Sequence, residues 1–208
     1  MSIADTDLRP APRIHHSAAV DRTAHVGAGT TIWHEAQIAA RAEIGHGCTL
    51  GKAAYVGAGA RIGAGVKIGN FACLFGAVEI EDGVLISPHV VLTEDPAPRA
   101  TRPDGTRQRH GDWTSKPVTI RRGATLGAGA VIAPGVTIGA HALVGIGAAV
   151  ARNVPAHALM LGNPARHAGW VCLCATTLDD AHTCPSCARR YALTDGQLQA
   201  VTDVATRA

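Results

Sequence analysis

One period governs this chain. Starting at Ile14, an aliphatic residue recurs at every sixth position: Val20, Val26, Ile32, Ile38, Ile44, Leu50, Val56, Ile62, Ile68, Leu74, Ile80, Ile86 and Leu92. The series stops there and resumes as Ile120, Leu126, Ile132, Ile138, Val144 and Val150. All twenty lead positions are Ile, Val or Leu, and in nine of them the next residue is Gly. Four residues after a lead comes a second, mostly small apolar residue, as at Ala36, Ala42, Cys48, Ala54 and, past the break, Ala124, Ala130 and Ala142.

An amphipathic helix would repeat its apolar residues at three and four, so a helix is excluded. A period of six fits a short strand followed by a tight turn, with three such units closing one triangular coil of eighteen residues. The leads point inward and stack on their equivalents one coil away. The small residues fit the corners, where Gly supplies backbone that a Cβ would oppose. Composition agrees: the chain is 47% hydrophobic but only 3% aromatic, so its core is built from small and branched side chains. Each coil can bury its inner face only against neighbouring coils, so many are needed. The pattern predicts an all-β fold, a parallel β-helix of hexapeptide repeats over 14–170, after an N-terminal tail over 1–13.

The break between Leu92 and Ile120 predicts an inserted loop over 93–119. It carries Pro96, Pro98, Pro103 and Pro117, an Asp104-Gly105 turn, and the cations Arg99, Arg102, Arg107, Arg109 and Lys116. A long loop inside a compact repeat is usually functional or disordered; its cations suit phosphate or carboxylate, and its plain reading is a solvated excursion whose charges nearly cancel.

Residues eighteen apart stack at about 4.8 Å per coil. Two after the lead, one column reads His16, His34, Lys52, Asn70 and Pro88; the next reads Ser17, Glu35, Ala53, Phe71 and His89. His34 and Asn70 thus share an edge roughly 10 Å apart, with Lys52 between them and His89 diagonal to Asn70. That edge is expected to lead toward the loop, and a convergent polar cluster beside a loop is a default site. Each member also has a plain structural reading: His34 as a surface histidine, Lys52 as solvated, Asn70 as a corner cap.

The stretch KIGNFACLFGAVEIED (Lys67 to Asp82), with the IWH that starts at Ile32, resembles one branch of the hexapeptide acyltransferases. That branch acetylates the 3-amino group of nucleotide-linked sugars and reads approximately KIQNNVSVYEGVTIED at this point. Lys67, Ile68, Asn70, Val78, Ile80, Glu81 and Asp82 match. Gly69, Phe71, Phe75 and Gly76 depart from it, where the acceptor sugar would lie. Pro98-Arg99-Ala100 and RRGATLGAGAVIAPGVTIG (Arg121 to Gly139) also resemble the branch. The resemblance implies a left-handed coil, a homotrimer with sites between subunits, and an acetyl-CoA-dependent N-acetyltransferase. Its acceptor would be a nucleotide-linked amino sugar, a 3-amino sugar being favoured. Asn70 would position the amine, and His34 would act as base or acceptor contact. His89, Glu94, Asp95 and Arg99 would meet the substrate. Glu94 and Asp95 stand where related O-acetyltransferases carry a catalytic His. GAAVARNVPAHALMLGNPARHAGW (Gly147 to Trp170) extends the likeness: Gly129 and Ile146 match positions along the pantetheine arm, and Arg152 and Arg166 match cations near the nucleotide phosphates.

After Trp170 the period ends. Cys172-x-Cys174 and Cys184-x-x-Cys187 form two short chelating turns, which suits tetrahedral Zn²⁺ held by four thiolates. So short a segment cannot build its own core, and a metal is the expected staple. The expectation is a structural zinc ribbon over 171–193 and a C-terminal tail over 194–208.

The net charge of +3, with scattered basic residues, gives no footprint for nucleic acid. No apolar stretch is long enough for a membrane span, and the N-terminus MSIADTDLRPAPR lacks the apolar region of a signal peptide. The expectation is a soluble, cytoplasmic protein with no membrane partner. An O-acetyltransferase acting on a sugar or small alcohol and a non-catalytic β-helix scaffold are the competing readings. A γ-type carbonic anhydrase would need three metal-binding His with a close pair, which the repeat region does not offer.

Overall fold

The computed structural model describes residues 10–109 and 111–201. Residues 1–9 of the expected N-terminal tail and 202–208 of the C-terminal one lie outside the described residues. Among the described residues there is no helix. Each of the twenty leads closes a two-residue strand, from Arg13–Ile14 to Ala149–Val150.

The strands stack in three parallel sheets, the walls of a triangular prism. Face A carries Ile14, Ile32, Leu50, Ile68, Ile86, Leu126 and Val144 in register. Face B carries Val20, Ile38, Val56, Leu74, Leu92, Ile132 and Val150. Face C carries Val26, Ile44, Ile62, Ile80, Ile120 and Ile138. The register is eighteen because backbone groups bond to the next coil: Thr31 N–H donates to the Cys48 carbonyl (2.9 Å) and Trp33 N–H to that of Leu50 (2.9 Å). From Ile32 onward the leads are buried, and the corner residues Ala36, Ala42, Ala54 and Ala72 are fully so. Burial of each such aliphatic side chain stabilises by about 1.5–3 kcal/mol, which lets strands of two residues persist.

The insertion does not disturb the prism. Leu92 closes a face B strand, and Thr119–Ile120 takes the next place on face C, pairing with Glu79–Ile80. The loop therefore replaces a single corner, the one between faces B and C. At the far end, Ala158–Leu161 adds to face A and Arg166–Trp170 folds back on it antiparallel.

The C-terminal segment departs from expectation. Tyr191–Thr194 and Gln197–Ala200 form an antiparallel hairpin, so the stretch expected as a tail from 194 is structured through Ala200. Leu198 is why: it is buried with Cys172, Cys184 and Tyr191 in a small core of its own.

Candidate functional site

The edge between faces A and B is where sequence reasoning placed the polar cluster. The stacking holds: Asn70 stands one coil above Lys52, and its Oδ1 accepts the Lys52 N–H at 2.9 Å. Asp82 does the same for Ala64 N–H on another edge (2.7 Å), so this position favours a short side chain with an acceptor oxygen. The cap reading of Asn70 is therefore correct for its oxygen; that bond does not use the amide nitrogen. His34 lies against His15 (ring centroids 5.3 Å) and Trp33 (6.3 Å), while Lys52 pairs with Glu35 at 3.4 Å. His34 and Asn70 are thus on one edge but separated by the Lys52–Glu35 pair. His89 is diagonal to Asn70 as expected, its N–H donating to the Asn70 carbonyl (3.0 Å), and its ring stacks on Phe71 at 5.1 Å and 14°.

Glu94, Asp95 and Arg99 come together, lining a cavity of about 350 Å³ with Pro98, Gln108 and Trp113. Glu94 Oε2 accepts from the Ser115 hydroxyl (2.9 Å), and the Glu94 carbonyl accepts from Lys116 N–H (2.8 Å), so both ends of the loop are tied to one carboxylate residue. Gly76 makes the room: a Cβ there would lie 2.6 Å from Glu94 Oε2. Asp95 Oδ1 caps the turn by accepting from Ala97 N–H (2.8 Å). The expectation that the Asn70 edge leads to this loop is corrected. Leu92 belongs to face B, so the loop leaves from the B–C edge, and face B separates it from Asn70.

The residues expected to meet the cofactor also divide. Gly129 and Ile146 continue the A–B edge; Gly129 N–H donates to the Pro88 carbonyl (3.0 Å), and Ile146 is 84% exposed. Arg152 lies at the B–C corner and Arg166 on the returning strand. Both line a cavity of about 620 Å³ with Met160, His167 and Trp170. His167 meets Trp170 edge-on at 4.6 Å. Sequence reasoning missed these two rings. The available signal was a tryptophan beside two cations in a chain with few aromatics.

The four cysteines converge as expected. Their sulfurs all lie within 4.8 Å of one another, with Cys172 to Cys187 and Cys174 to Cys184 at 3.5 Å. A zinc tetrahedron with Zn–S of about 2.3 Å puts sulfurs about 3.8 Å apart, so the set fits that ion and is far too wide for disulfides. Burial opposes ionisation of Cys172, but the Cys174 N–H, the Tyr191 hydroxyl and the neighbouring thiols outweigh it and lower its thiol to about 6. The Tyr191 hydroxyl donates to Cys172 Sγ at 3.2 Å. Burial, and then Cys172, push that hydroxyl up to about 12. His157 links the module to the last coils: its Nδ1 is 2.9 Å from the Val171 carbonyl and its ring is 5.3 Å from Tyr191. Cys48 is buried in a corner, where burial raises its thiol.

Residues 41–76 match the family model described as bacterial transferase hexapeptide (six repeats). The chain is a hexapeptide-repeat β-helix. Among curated proteins, this hexapeptide-repeat chain is 36% identical over 80 residues to a dTDP-3-amino-3,6-dideoxy-alpha-D-galactopyranose 3-N-acetyltransferase of Aneurinibacillus thermoaerophilus. The match covers 37% of this chain and 41% of that relative, so it spans less than half of either. Among solved structures it resembles a variant of the perosamine N-acetyltransferase from Caulobacter crescentus in complex with CoA and GDP-perosamine. There the TM-score is 0.50 at 27% identity, covering 77% of this chain and 58% of that one. Among the described residues, no helix is long and apolar enough to cross a membrane.

Proposed function

We propose that this hexapeptide-repeat protein is an acetyl-CoA-dependent N-acetyltransferase acting on a nucleotide-linked amino sugar, with a 3-amino sugar favoured. The observation that carries the reading is the A–B edge. It presents the outward amide of Asn70, then Gly129 and the exposed Ile146, within the fold shared with the CoA-bound Caulobacter enzyme. The match to the Aneurinibacillus 3-N-acetyltransferase supports the same chemistry.

The reaction is attack of a neutral amine on the thioester carbonyl, through a tetrahedral intermediate whose oxyanion needs donors. The C–N bond forms, the C–S bond breaks, and the proton lost by the nitrogen leaves on CoA as its free thiol. Asn70, anchored through its oxygen to the Lys52 N–H, holds the amine in attack geometry. His34, beyond the Lys52–Glu35 pair, meets the acceptor away from that amine, and the amine arrives already neutral. The pantetheine arm runs along Gly129 and Ile146, where coil backbone offers amide partners. Arg152 and Arg166 receive the phosphates in the cavity they share. Zn²⁺ held by Cys172, Cys174, Cys184 and Cys187 is structural: four thiolates leave no open position for a substrate.

His34, Asn70 and His89 stand on one edge, while Glu94, Asp95 and Arg99 stand on another. A second copy packing its B–C edge against the A–B edge of the first would join them, and three copies close the ring. Face B supports such packing, since Tyr55, Phe75 (40% exposed) and Val131 (41% exposed) lie outward there. The working form is a cytoplasmic homotrimer without nucleic-acid or membrane partners.

The test is free-thiol release from acetyl-CoA with a panel of UDP-, dTDP- and GDP-linked amino sugars and their hydroxyl counterparts. Release with an amine and not with its hydroxyl control is the expected result. Release with the hydroxyl sugar would make this an O-acetyltransferase. No release with any acceptor, together with no acetyl-CoA binding, would leave a scaffold.

A further inference from the structure

The three edges of the prism are unequal. On the C–A edge, the third residue after the lead is Gly29, Gly47, Gly65, Gly83 and Gly123, with a Cβ only in the last coil, at His141, and all six are at positive φ. On the A–B edge four successive coils place residues with a Cβ there, Glu35, Ala53, Phe71 and His89, at φ of 61°, 51°, 59° and 60°, before Gly129 and Gly147 take the position in the last two. The left-handed conformation costs a residue with a Cβ roughly 1–2 kcal/mol, and Phe71 bears it while 43% exposed. Glu35, Ala53 and His89 bear the same backbone, and what sets Phe71 apart is a large apolar ring left at the surface. Phe71 is the residue beside Asn70, and its ring is held parallel to His89. One coil the other way, the column holds only the methyl of Ala53.

We propose that Phe71, steadied by His89, is the platform on which the acceptor's sugar ring rests, and that it selects a 6-deoxy sugar over a hexuronate. The inference deepens the transferase reading and rests on it. An aromatic face gains by covering C–H groups, and a ring adjacent to Asn70 places that contact next to the amine. A sugar carboxylate laid against the ring face would lose water without gaining a donor from the ring. Lys52, the cation in the neighbouring column, is already matched by Glu35. Discrimination therefore comes from the unpaired charge that the platform would leave on the wrong sugar.

The test is calorimetric, on the full chain, with three probes: dTDP, a dTDP-linked 3-amino-3,6-dideoxyhexose, and a dTDP-linked 3-amino-3-deoxyhexuronate. The 6-deoxy sugar should bind about tenfold tighter than dTDP alone, and the hexuronate no tighter. Phe71→Gly should erase the tenfold gain. It should leave CoA affinity and oligomeric mass unchanged and hold or raise the melting temperature, because glycine relieves the backbone. A gain that survives Phe71→Gly, or a preference for the hexuronate, overturns the proposal. So does a change of mass in the variant, which would make Phe71 a subunit contact. A sugar gain that Phe71→Gly removes, without acetyl transfer by the wild type, supports the platform and sinks the transferase reading alone. Wild-type turnover of an amine with no sugar-dependent gain for either probe does the reverse.

Discussion

Asn70 combines two tasks that substitutions can separate. Its oxygen caps the coil below, and its NH2 group, a donor, is assigned to a sugar oxygen beside the amine. Asn70→Asp keeps the acceptor for Lys52 N–H, as Asp82 does for Ala64, so its stability should match the wild type while kcat falls. Asn70→Ala should lose both, with about 1 kcal/mol of stability gone in a denaturant titration. His141 supplies a pH test of the far corner. Burial first, then His157 and Arg122, lower its pKa below the ordinary 6.5. Above pH 6.5 both folded and unfolded states carry it neutral. As pH falls below that, the unfolded chain takes the proton first, and stability is lost on the way down through the folded value. The melting temperature should fall as pH drops below about 6.5, and less steeply in His141→Gln. The stacking of Asn70 on Lys52 was legible in the sequence because eighteen-residue columns follow from the period. The Phe71–His89 stack was not, since a column gives neighbours but not ring orientation.

The element that repeats is a strand of two residues and a corner, and its tolerance is set by how closely coils approach. A Cβ on Gly45 would sit 2.5 Å from the Gly63 carbonyl oxygen, and backbone cannot yield as a side chain does. Gly45→Ala should therefore cost about 3 kcal/mol, seen as a lower denaturation midpoint with an unchanged slope. Here the period was informative to the residue: leads, buried corner alanines and the break at Leu92 all stand where spacing put them. The edge from which the loop departs was misplaced. Counting leads in threes assigns Leu92 to face B, but proximity to Asn70 in the chain suggested otherwise. Glu94 illustrates the same limit, because its fit against Gly76 joins residues one coil apart whose side-chain volumes only a structure relates.

For the whole molecule, two expectations follow from how the parts are divided. If the two edges complete each other between copies, mixing Asn70→Ala chains with Glu94→Ala chains should restore activity that neither has alone, read as CoA release after co-refolding. Trimers measured by light scattering should accompany it. If the cysteines hold zinc, Cys184→Ser should lose about one metal ion per chain by elemental analysis and expose residues 171–200 to protease, with the β-rich circular dichroism of the coils retained. The convergence of the four cysteines was legible from their spacing alone. The hairpin that extends the module was not, because Leu198 is a lone apolar residue in a polar stretch and becomes core only once Tyr191 stands beside it.

A stack of identical coils has no intrinsic reason to end, since each exposes the same unpaired amides and carbonyls to the next. In this chain Arg166–Trp170 runs against the direction of every other strand on face A, and the cysteine module follows it directly. A reversed strand cannot be copied by another parallel coil, and the module covers the ground beside it. The reversed strand thus decides where the solenoid stops: without it the last coil would be a sticky template, and the protein would be able to grow end to end into fibres.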